Sequence, residues 1–228
     1  MRSRSFAFQG RNFRYFVHYY NAMEGSDRAV EIPLARAFLE RFQQASGIEV
    51  GNVLPHYLRV RHPIIDKYEK APGVLNQDVL EFEPPAALDF IVSISTLEHV
   101  GWDELPRDPA KVEFAIERLR RMLKPSGRMF VTCPLGHNSH LDSLVLGEKT
   151  DAVEEGFLQH AGSGSWHQIR RADVTALASQ ARRDPARILW IAELSPMTSL
   201  GRDEDRRSHG DEAQAKQVLQ ARRSAKAS

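Results

Sequence analysis

The chain has 228 residues, with 31 Lys and Arg against 30 Asp and Glu and a formal net charge of +1. Apolar residues make up 42% and charged residues 27%, which is typical of a globular protein and excludes a wholly disordered chain or a coiled coil. The near-zero net charge gives no strong nucleic-acid signal. The single cysteine, Cys133, excludes an intramolecular disulfide and a cysteine-rich zinc site.

The apolar runs of the sequence are short. The longest, over 88–94 and 188–192, fall far below the ~20 residues that cross a bilayer. The basic start of the chain is not followed by the apolar segment of a secretory signal. We therefore expect a cytoplasmic protein without a membrane span.

Residues 1–47 are interpreted as an N-terminal aromatic segment and a cap helix. Apolar residues spaced i, i+3, i+4 and i+7 predict a helix over 31–46, and Gly47 stands where a C-terminal cap is expected. Residues 201–228 are densely charged and nearly lack large apolar side chains, so we expect a disordered tail.

Between these segments, residues 48–200 predict a single α/β core. Short apolar strands are separated by turns, and Asp108 with Pro109 marks the start of a strong helix. A second helix is expected over 172–182. The strands are predicted over 48–50, 63–65, 74–75, 88–95, 128–133, 166–169 and 187–194, with a turn at 125–127. This order predicts a mostly parallel sheet with helices on both faces, and the crossover after Gly51 leaves room for only one or two helical turns.

Acidic and glycine residues follow the first three strands of this core. In open α/β sheets, ligands bind outside the carboxyl ends of the strands. Gly51 lets backbone approach a ligand, Asp66 can accept both ribose hydroxyls, and Asp78 can accept from an adenine amino group. Each residue alone is also an ordinary turn residue. The phosphate-binding pattern G-x-G-x-x-G is absent and Pro55 lacks an N–H, which favours an adenosyl ligand without phosphate over NAD or FAD.

The chain resembles the class I S-adenosylmethionine-dependent methyltransferases in four blocks that come in the family's order. The blocks are Glu-Val-Gly-Asn (49–52), Asp66 with Asp78, Ser-Thr-Leu-Glu-His-Val (95–100), and Leu-Lys-Pro-Ser-Gly-Arg (123–128). Glu-Val-Gly-Asn-Val-Leu and Pro-Leu-Gly-His-Asn (134–138) are similar to one bacterial subgroup. The chain keeps only the first glycine of the family's glycine-rich motif, and it has Pro-Ser-Gly where the family has Pro-Gly-Gly.

The resemblance implies a single Rossmann-like methyltransferase domain with S-adenosylmethionine as cofactor. It implies that Glu49 and Gly51 line the methionine part of the cofactor, that Asp66 holds the ribose and that Asp78 holds the adenine. Glu98 and His99 are expected beside the cofactor. The full predicted cofactor-binding set is Glu49, Gly51, Asn52, Asp66, Asp78, Val79 and Ser95.

His99 is the predicted catalytic base, because histidine titrates near neutral pH and the residue follows the central strand. A sulfonium methyl is already activated, so a base is required only if the acceptor must lose a proton. Glu98 is the expected orienting partner. A purely structural role for His99 is the alternative.

The expected acceptor is a small molecule or a glycan. Arg28, Tyr20 and His137 are the predicted acceptor contacts, although the N-terminal aromatic residues could equally form a hydrophobic cluster. The spacing of His137 and His140 is read as a solvated loop and helix start, so no metal is expected. Alternative functions are a catalytically silent methyltransferase-like scaffold, an RNA methyltransferase suggested by Arg-Arg pairs, and a nicotinamide oxidoreductase. The oligomeric state is not predicted.

Overall fold

The computed structural model describes residues 5–20, 25–161, 164–180 and 187–197. The tail predicted over 201–228 lies outside the described residues. Within those residues, no helix is both long and apolar enough to cross a bilayer.

The described chain alternates strands and helices. In chain order the elements are β1 (Ser5–Phe8), β2 (Arg11–Arg14), α1 (Arg28–Leu39), β3 (Gly47–Val50), β4 (Ile64–Ile65), β5 (Val74–Leu75), β6 (Leu88–Ile94), α2 (Lys111–Arg121), β7 (Leu123–Pro134), α3 (Ser139–Leu146), β8 (Ala152–His160), β9 (Trp166–Ile169), α4 (Arg171–Gln180) and β10 (Ile188–Leu194). Strands β1 and β2 form a separate antiparallel hairpin.

The central sheet has the order β5-β4-β3-β6-β7-β10-β8-β9. Strands β5, β4, β3, β6 and β7 are parallel to one another, and β10 and β9 run opposite to the other six strands. If the five parallel strands β3, β4, β5, β6 and β7 are numbered 1 to 5 along the chain, their order across the sheet is 3-2-1-4-5, the doubly wound arrangement. The direction of strand succession reverses between β3 and β6. The predicted Rossmann-like α/β fold with a mostly parallel sheet is confirmed.

Two apolar layers cover the two faces of the sheet. On one face, α1 and the β1–β2 hairpin pack against Phe90, Val92 and Ile94 of β6. On the other face, α2, α3 and α4 pack in the layer that contains Ile91 and Met129. Strand β6 is therefore buried on both faces, which explains its nearly continuous apolar sequence.

Helix α1 differs from the predicted helix over 31–46. It begins three residues earlier and ends at Leu39, where the chain tightens into a 3₁₀ turn, Glu40–Phe42. Gln44 then has a φ of +63°, which ends helical geometry. Gly47 does not cap the helix: it is the first residue of β3 and pairs with Phe90.

Most predicted strands are present with bounds within one or two residues of the prediction. The turn predicted at 125–127 is wrong, because β7 continues through these residues from Leu123 to Pro134. The pairing register with β6 shifts between Leu88 and Phe90, which accommodates the extra residues. The prediction missed the β1–β2 hairpin and β8, and it gave only the start of α3, in the segment of His137 and His140. The short crossover after Gly51 is confirmed, since it contains a single 3₁₀ turn, Leu54–His56.

Candidate functional site

A cavity of about 520 Å³ opens at the carboxyl ends of the parallel strands, next to the reversal between β3 and β6. The fold places the ends of β3, β4 and β6 and the loop after β5 around it. Seven of the residues singled out from the sequence line this cavity: Gly51, Asn52, Asp66, Asp78, Val79, Ser95 and His99. Glu49, Glu98, Arg28, Tyr20 and His137 are not among its lining residues.

Gly51 lies where β3 enters the cavity and has a φ of +90°. Its N–H donates to the Ile65 carbonyl, 2.8 Å away. A Cβ at this position would lie 2.1 Å from Oγ1 and 2.8 Å from Cβ of Thr96. The backbone of the first strand can therefore approach the end of β6 only because residue 51 has no side chain.

The sequence predicts that Glu49 lines the cofactor site, but Glu49 lies outside the cavity lining and positions the loop after Gly51. Its side chain is fully buried, and Oε1 accepts from the N–H groups of Val53 (2.9 Å) and Leu54 (2.7 Å). Oε2 lies 3.2 Å from Nε2 of His62. The buried carboxylate thus fixes the loop after Gly51 through two backbone N–H groups of that loop.

Asp66 connects the loops that follow β3 and β4. Its Oδ1 accepts from the N–H groups of Tyr68 (2.9 Å) and Glu69 (2.8 Å), and its Oδ2 accepts from the N–H of Asn52 (3.2 Å). The Asn52 side-chain amide donates to Glu69 Oε1 at 2.6 Å. Oδ1 therefore already has two donors, whereas Oδ2 has one and keeps acceptor capacity for a hydroxyl at the cavity wall.

Asp78 lies in a cluster of four charged residues that the sequence analysis missed. Lys67 and Lys111 each donate to Oδ2 of Asp78 (2.9 and 2.7 Å) and to Oε2 of Glu104 (2.8 and 2.7 Å). Burial alone would raise the pKa of Asp78, but hydrogen bonds from Lys111, Leu80 N–H and Lys67 outweigh burial and lower that pKa to about 2. Asp78 is therefore ionised and already paired, so an adenine amino group would share this carboxylate with two lysines.

Ser95 joins the cavity to a buried carboxylate that belongs to α1. Ser95 Oγ and Thr132 Oγ1 both donate to Oε1 of Glu31, at 2.5 and 2.7 Å. Arg28 pairs with Oε2 of the same carboxylate. Ser95 has a φ of +40°, an uncommon conformation for a residue other than glycine. The guanidinium predicted to contact the acceptor thus has an internal partner, and the network ties α1 to the ends of β6 and β7.

His99 is exposed at the cavity wall and pairs with Asp103, a residue that the sequence analysis did not identify. Its Nδ1 lies 2.5 Å from Oδ2 of Asp103, while Nε2 lies 3.7 Å from Oε1 of Glu98. The hydrogen bond with His99 lowers the pKa of Asp103. Asp103, not Glu98, is therefore the residue that orients the imidazole.

Glu98 is buried beneath His99, with 1% of the residue exposed, and neither carboxylate oxygen has a hydrogen-bond partner among the described residues. Burial raises its pKa to about 8. At neutral pH Glu98 therefore carries its proton and cannot act as the ionised partner of His99.

We expect Glu98→Gln to remove a pH dependence of stability. Because the folded pKa of Glu98 lies above its unfolded value, the folded chain binds more protons and the free energy of unfolding falls as pH rises from about 5 to 8, by up to about 1.4 kcal/mol per pH unit. Above pH 8 this loss is complete. Urea unfolding at pH 5, 6.5 and 8 with a chelator present measures it. Equal pH slopes in the variant and the wild type would contradict the expectation.

His137 and Tyr20 lie outside the cavity lining. His137 contacts His99, with ring centroids 4.4 Å apart, whereas the nearby His140 instead pairs with Glu113 at 2.8 Å. Tyr20 stacks on His56 with ring centroids 4.7 Å apart, and His56 Nε2 lies 3.5 Å from Nδ2 of the lining residue Asn52. Tyr20 is thus separated from the cavity wall by one side chain.

No protein-family model matches the sequence, and no curated protein matches it significantly. Among solved structures, the chain is similar to N-methyltransferase NodS from Bradyrhizobium japonicum WM9, with 16% identity and a TM-score of 0.41 over 73% of this chain and 99% of that chain. It is also similar to 1,6-didemethyltoxoflavin-N1-methyltransferase from Burkholderia thailandensis, with 13% identity and a TM-score of 0.43 over 75% and 80% of the two chains. A third similar structure is the [4+2]-cyclase SpnF, with 11% identity and a TM-score of 0.46 over 81% and 87%. These similarities transfer no function, and the fold assignment rests on the strand order of the sheet.

Proposed function

We propose that the protein is an S-adenosylmethionine-dependent methyltransferase that acts on a small-molecule or glycan acceptor. The observation that carries the proposal is that Gly51, Asp66 and Asp78, which follow three neighbouring strands, line one cavity. Gly51 supplies close backbone approach, and two carboxylates supply acceptors for hydroxyl and amino groups.

The loop after β3 supports a cofactor without phosphate. Its 3₁₀ turn, Leu54–His56, is too short to present a helix N-terminus, and Pro55 has no N–H to donate. The N–H groups of Val53 and Leu54 donate to Glu49 and are not available to a phosphate. An adenosyl group with a sulfonium side chain requires neither element.

The residues of the chain then position the reactants. In the proposed transfer, an acceptor lone pair forms a bond to the methyl carbon while the C–S pair returns to sulfur, which leaves neutral S-adenosylhomocysteine. A proton on the acceptor is released to solvent at the His99 side of the cavity, where Asp103 orients the imidazole.

The acceptor side of the proposal rests on the aromatic residues beside Asn52. Tyr20, His56 and Tyr57 are clustered, with centroid distances of 4.7 Å for Tyr20–His56 and 5.9 Å for Tyr20–Tyr57. Tyr20 is 48% exposed. Exposed aromatic rings can stack on a planar ring or on the apolar face of a sugar, which suits the proposed acceptor classes.

Calorimetry with S-adenosylhomocysteine tests the cofactor assignment. We expect saturable binding to the wild type, and we expect Asp66→Ala to weaken it about 30-fold or more because charge-assisted hydrogen bonds to the ribose are lost. His99→Ala should change the affinity less than threefold and should instead reduce methyl transfer once an acceptor is found.

Asp89→Ala is the matched control for this test. Asp89 is the second residue of β6, at the end of the strand opposite the cavity, where it accepts from Ser46 N–H and pairs with Lys124. Its replacement should leave binding unchanged. No binding to the wild type at high micromolar ligand would overturn the cofactor assignment, and a larger effect of His99→Ala than of Asp66→Ala would overturn the residue roles. Binding without transfer to a broad acceptor panel would favour a silent scaffold.

A further inference from the structure

A cluster of two histidines and one aspartate lies at the wall of the cavity. His99 and Asp103 come from the segment after β6, and His137 comes from the loop after β7. One ligating atom of each residue can be chosen so that all three lie within 4.8 Å of one another. Three donor atoms at this spacing can coordinate one ion.

The pairing within the cluster is incomplete. Oδ2 of Asp103 serves both imidazoles, at 2.5 Å from His99 Nδ1 and 3.5 Å from His137 Nε2. The His137 Nε2 atom is buried and makes no hydrogen bond to the described residues. A buried ring nitrogen that points at a carboxylate without bonding to it can serve as a metal ligand in its neutral form.

We propose that His99, Asp103 and His137 bind a divalent transition-metal ion, such as Zn²⁺, Co²⁺ or Mn²⁺. Two imidazoles and a carboxylate form the donor set that holds such ions while leaving coordination positions open. Both His99 and Asp103 line the cavity, so the open positions would face a bound molecule. The carboxylate of Asp103 contributes one negative charge, which offsets half of the charge of a divalent cation.

This inference deepens the proposed function and rests on it only for the identity of the acceptor. A cation at this wall binds an acceptor through a hydroxyl or carboxylate oxygen and lowers the pKa of a bound hydroxyl. His99 would then act on the acceptor as a metal ligand in place of the general base predicted from the sequence.

The charged side chains next to His99, Asp103 and His137 are paired with other residues and leave this cluster available to a metal ion. Glu104 is held by Lys67 and Lys111 and does not contribute a ligand.

Trp102 lies close to the cluster: its ring is 6.2 Å from the ring of His137, and the guanidinium of Arg107 lies 4.6 Å from its ring centroid. Trp102 therefore gives a fluorescence reporter close to the cluster.

The test uses the full chain without a histidine tag, stripped of metal with a chelator and dialysed. Calorimetry with ZnCl₂ should give one saturable site per chain, and CoCl₂ should give a visible absorption band and quench tryptophan emission. We expect His137→Ala and Asp103→Asn each to weaken Zn²⁺ binding at least tenfold, and Trp102→Phe to remove most of the Co²⁺ quenching. His140→Ala is the matched control, since His140 is three residues from His137 but pairs with Glu113.

Equal Zn²⁺ affinities for His137→Ala and His140→Ala would overturn the proposal, and so would the absence of saturable binding to the wild type. Circular dichroism of each variant excludes loss of fold as the cause. S-adenosylhomocysteine binding measured in the presence of the chelator tests the proposed function separately. A chain that binds the cofactor but no metal refutes only this inference, and a chain that binds metal but no cofactor refutes only the proposed function.

Discussion

Gly51→Ala is expected to weaken S-adenosylhomocysteine binding by 100-fold or more. The new Cβ would lie 2.1 Å from Thr96 Oγ1, and this hydroxyl is fixed by donation to the Ile94 carbonyl at 3.0 Å. Because Thr96 Cβ is also only 2.8 Å away, rotation of the Thr96 side chain cannot relieve the clash and the backbone of the loop must move. A backbone shift at the junction of β3 and β6 displaces the floor of the cavity. Calorimetry with S-adenosylhomocysteine measures the effect.

Gly73→Ala separates this steric effect from the cost of a positive φ. Gly73 has a φ of +82°, close to that of Gly51, but no atom lies within 4 Å of a Cβ built there. The control variant should lose about 1 kcal/mol of stability and keep its affinity for the ligand. Thr96→Ala added to Gly51→Ala should recover part of the lost affinity. Similar losses of affinity in the two single alanine variants would show that close approach at Gly51 is unimportant.

Glu31→Leu is expected to destabilise the fold by about 3–5 kcal/mol. The substitution leaves Arg28 unpaired, with only 20% of its side chain exposed, and it removes the acceptor of the Ser95 and Thr132 hydroxyls. Adding Arg28→Met removes the unpaired charge and should recover part of the loss. Urea unfolding of the two single variants and the double variant gives the coupling free energy.

The pair Arg36 and Glu40 is the control, because Arg36 belongs to α1 and Glu40 directly follows that helix. It has a similar spacing, with N and O atoms 3.3 Å apart, but both side chains are more than half exposed. Replacing either residue with an apolar one should cost less than about 1 kcal/mol. A small cost for Glu31→Leu, comparable to that of the exposed pair, would contradict the role assigned to the buried network.

The strand ends of the site could be predicted from the sequence because parallel strands terminate at one edge of the sheet. This geometry alone brings Gly51, Asp66 and Asp78 together, whatever the lengths of the loops between them. The same local reasoning predicted β9 and β10, whose apolar patterns are short and well bounded.

The partners of these residues could not be predicted, because they depend on how loops and helices meet. Glu98 and His99 are adjacent in sequence, yet the 3₁₀ turn Leu97–His99 buries the first and exposes the second. Only the path of the chain after this turn brings Asp103 back to His99. Glu31 is 64 residues from Ser95 and appears in the sequence as one acidic position of an amphipathic helix. Strand β8 was missed because none of its first four residues is buried and two of them, Val153 and Glu154, are exposed, so that half shows no apolar strand pattern.

The packing of α1 and the β1–β2 hairpin determines which N-terminal truncations of the protein can fold. The sequence suggests a core that begins at residue 48, but Phe6, Phe8 and Phe38 share one apolar layer with Phe90, Val92 and Phe130 of the central sheet. A fragment that begins at residue 48 would expose that face of β6 and β7 to water and would also lose Glu31. The smallest autonomous folding unit therefore includes the N-terminal segment, and fusions or transplanted versions of the site must carry it with them.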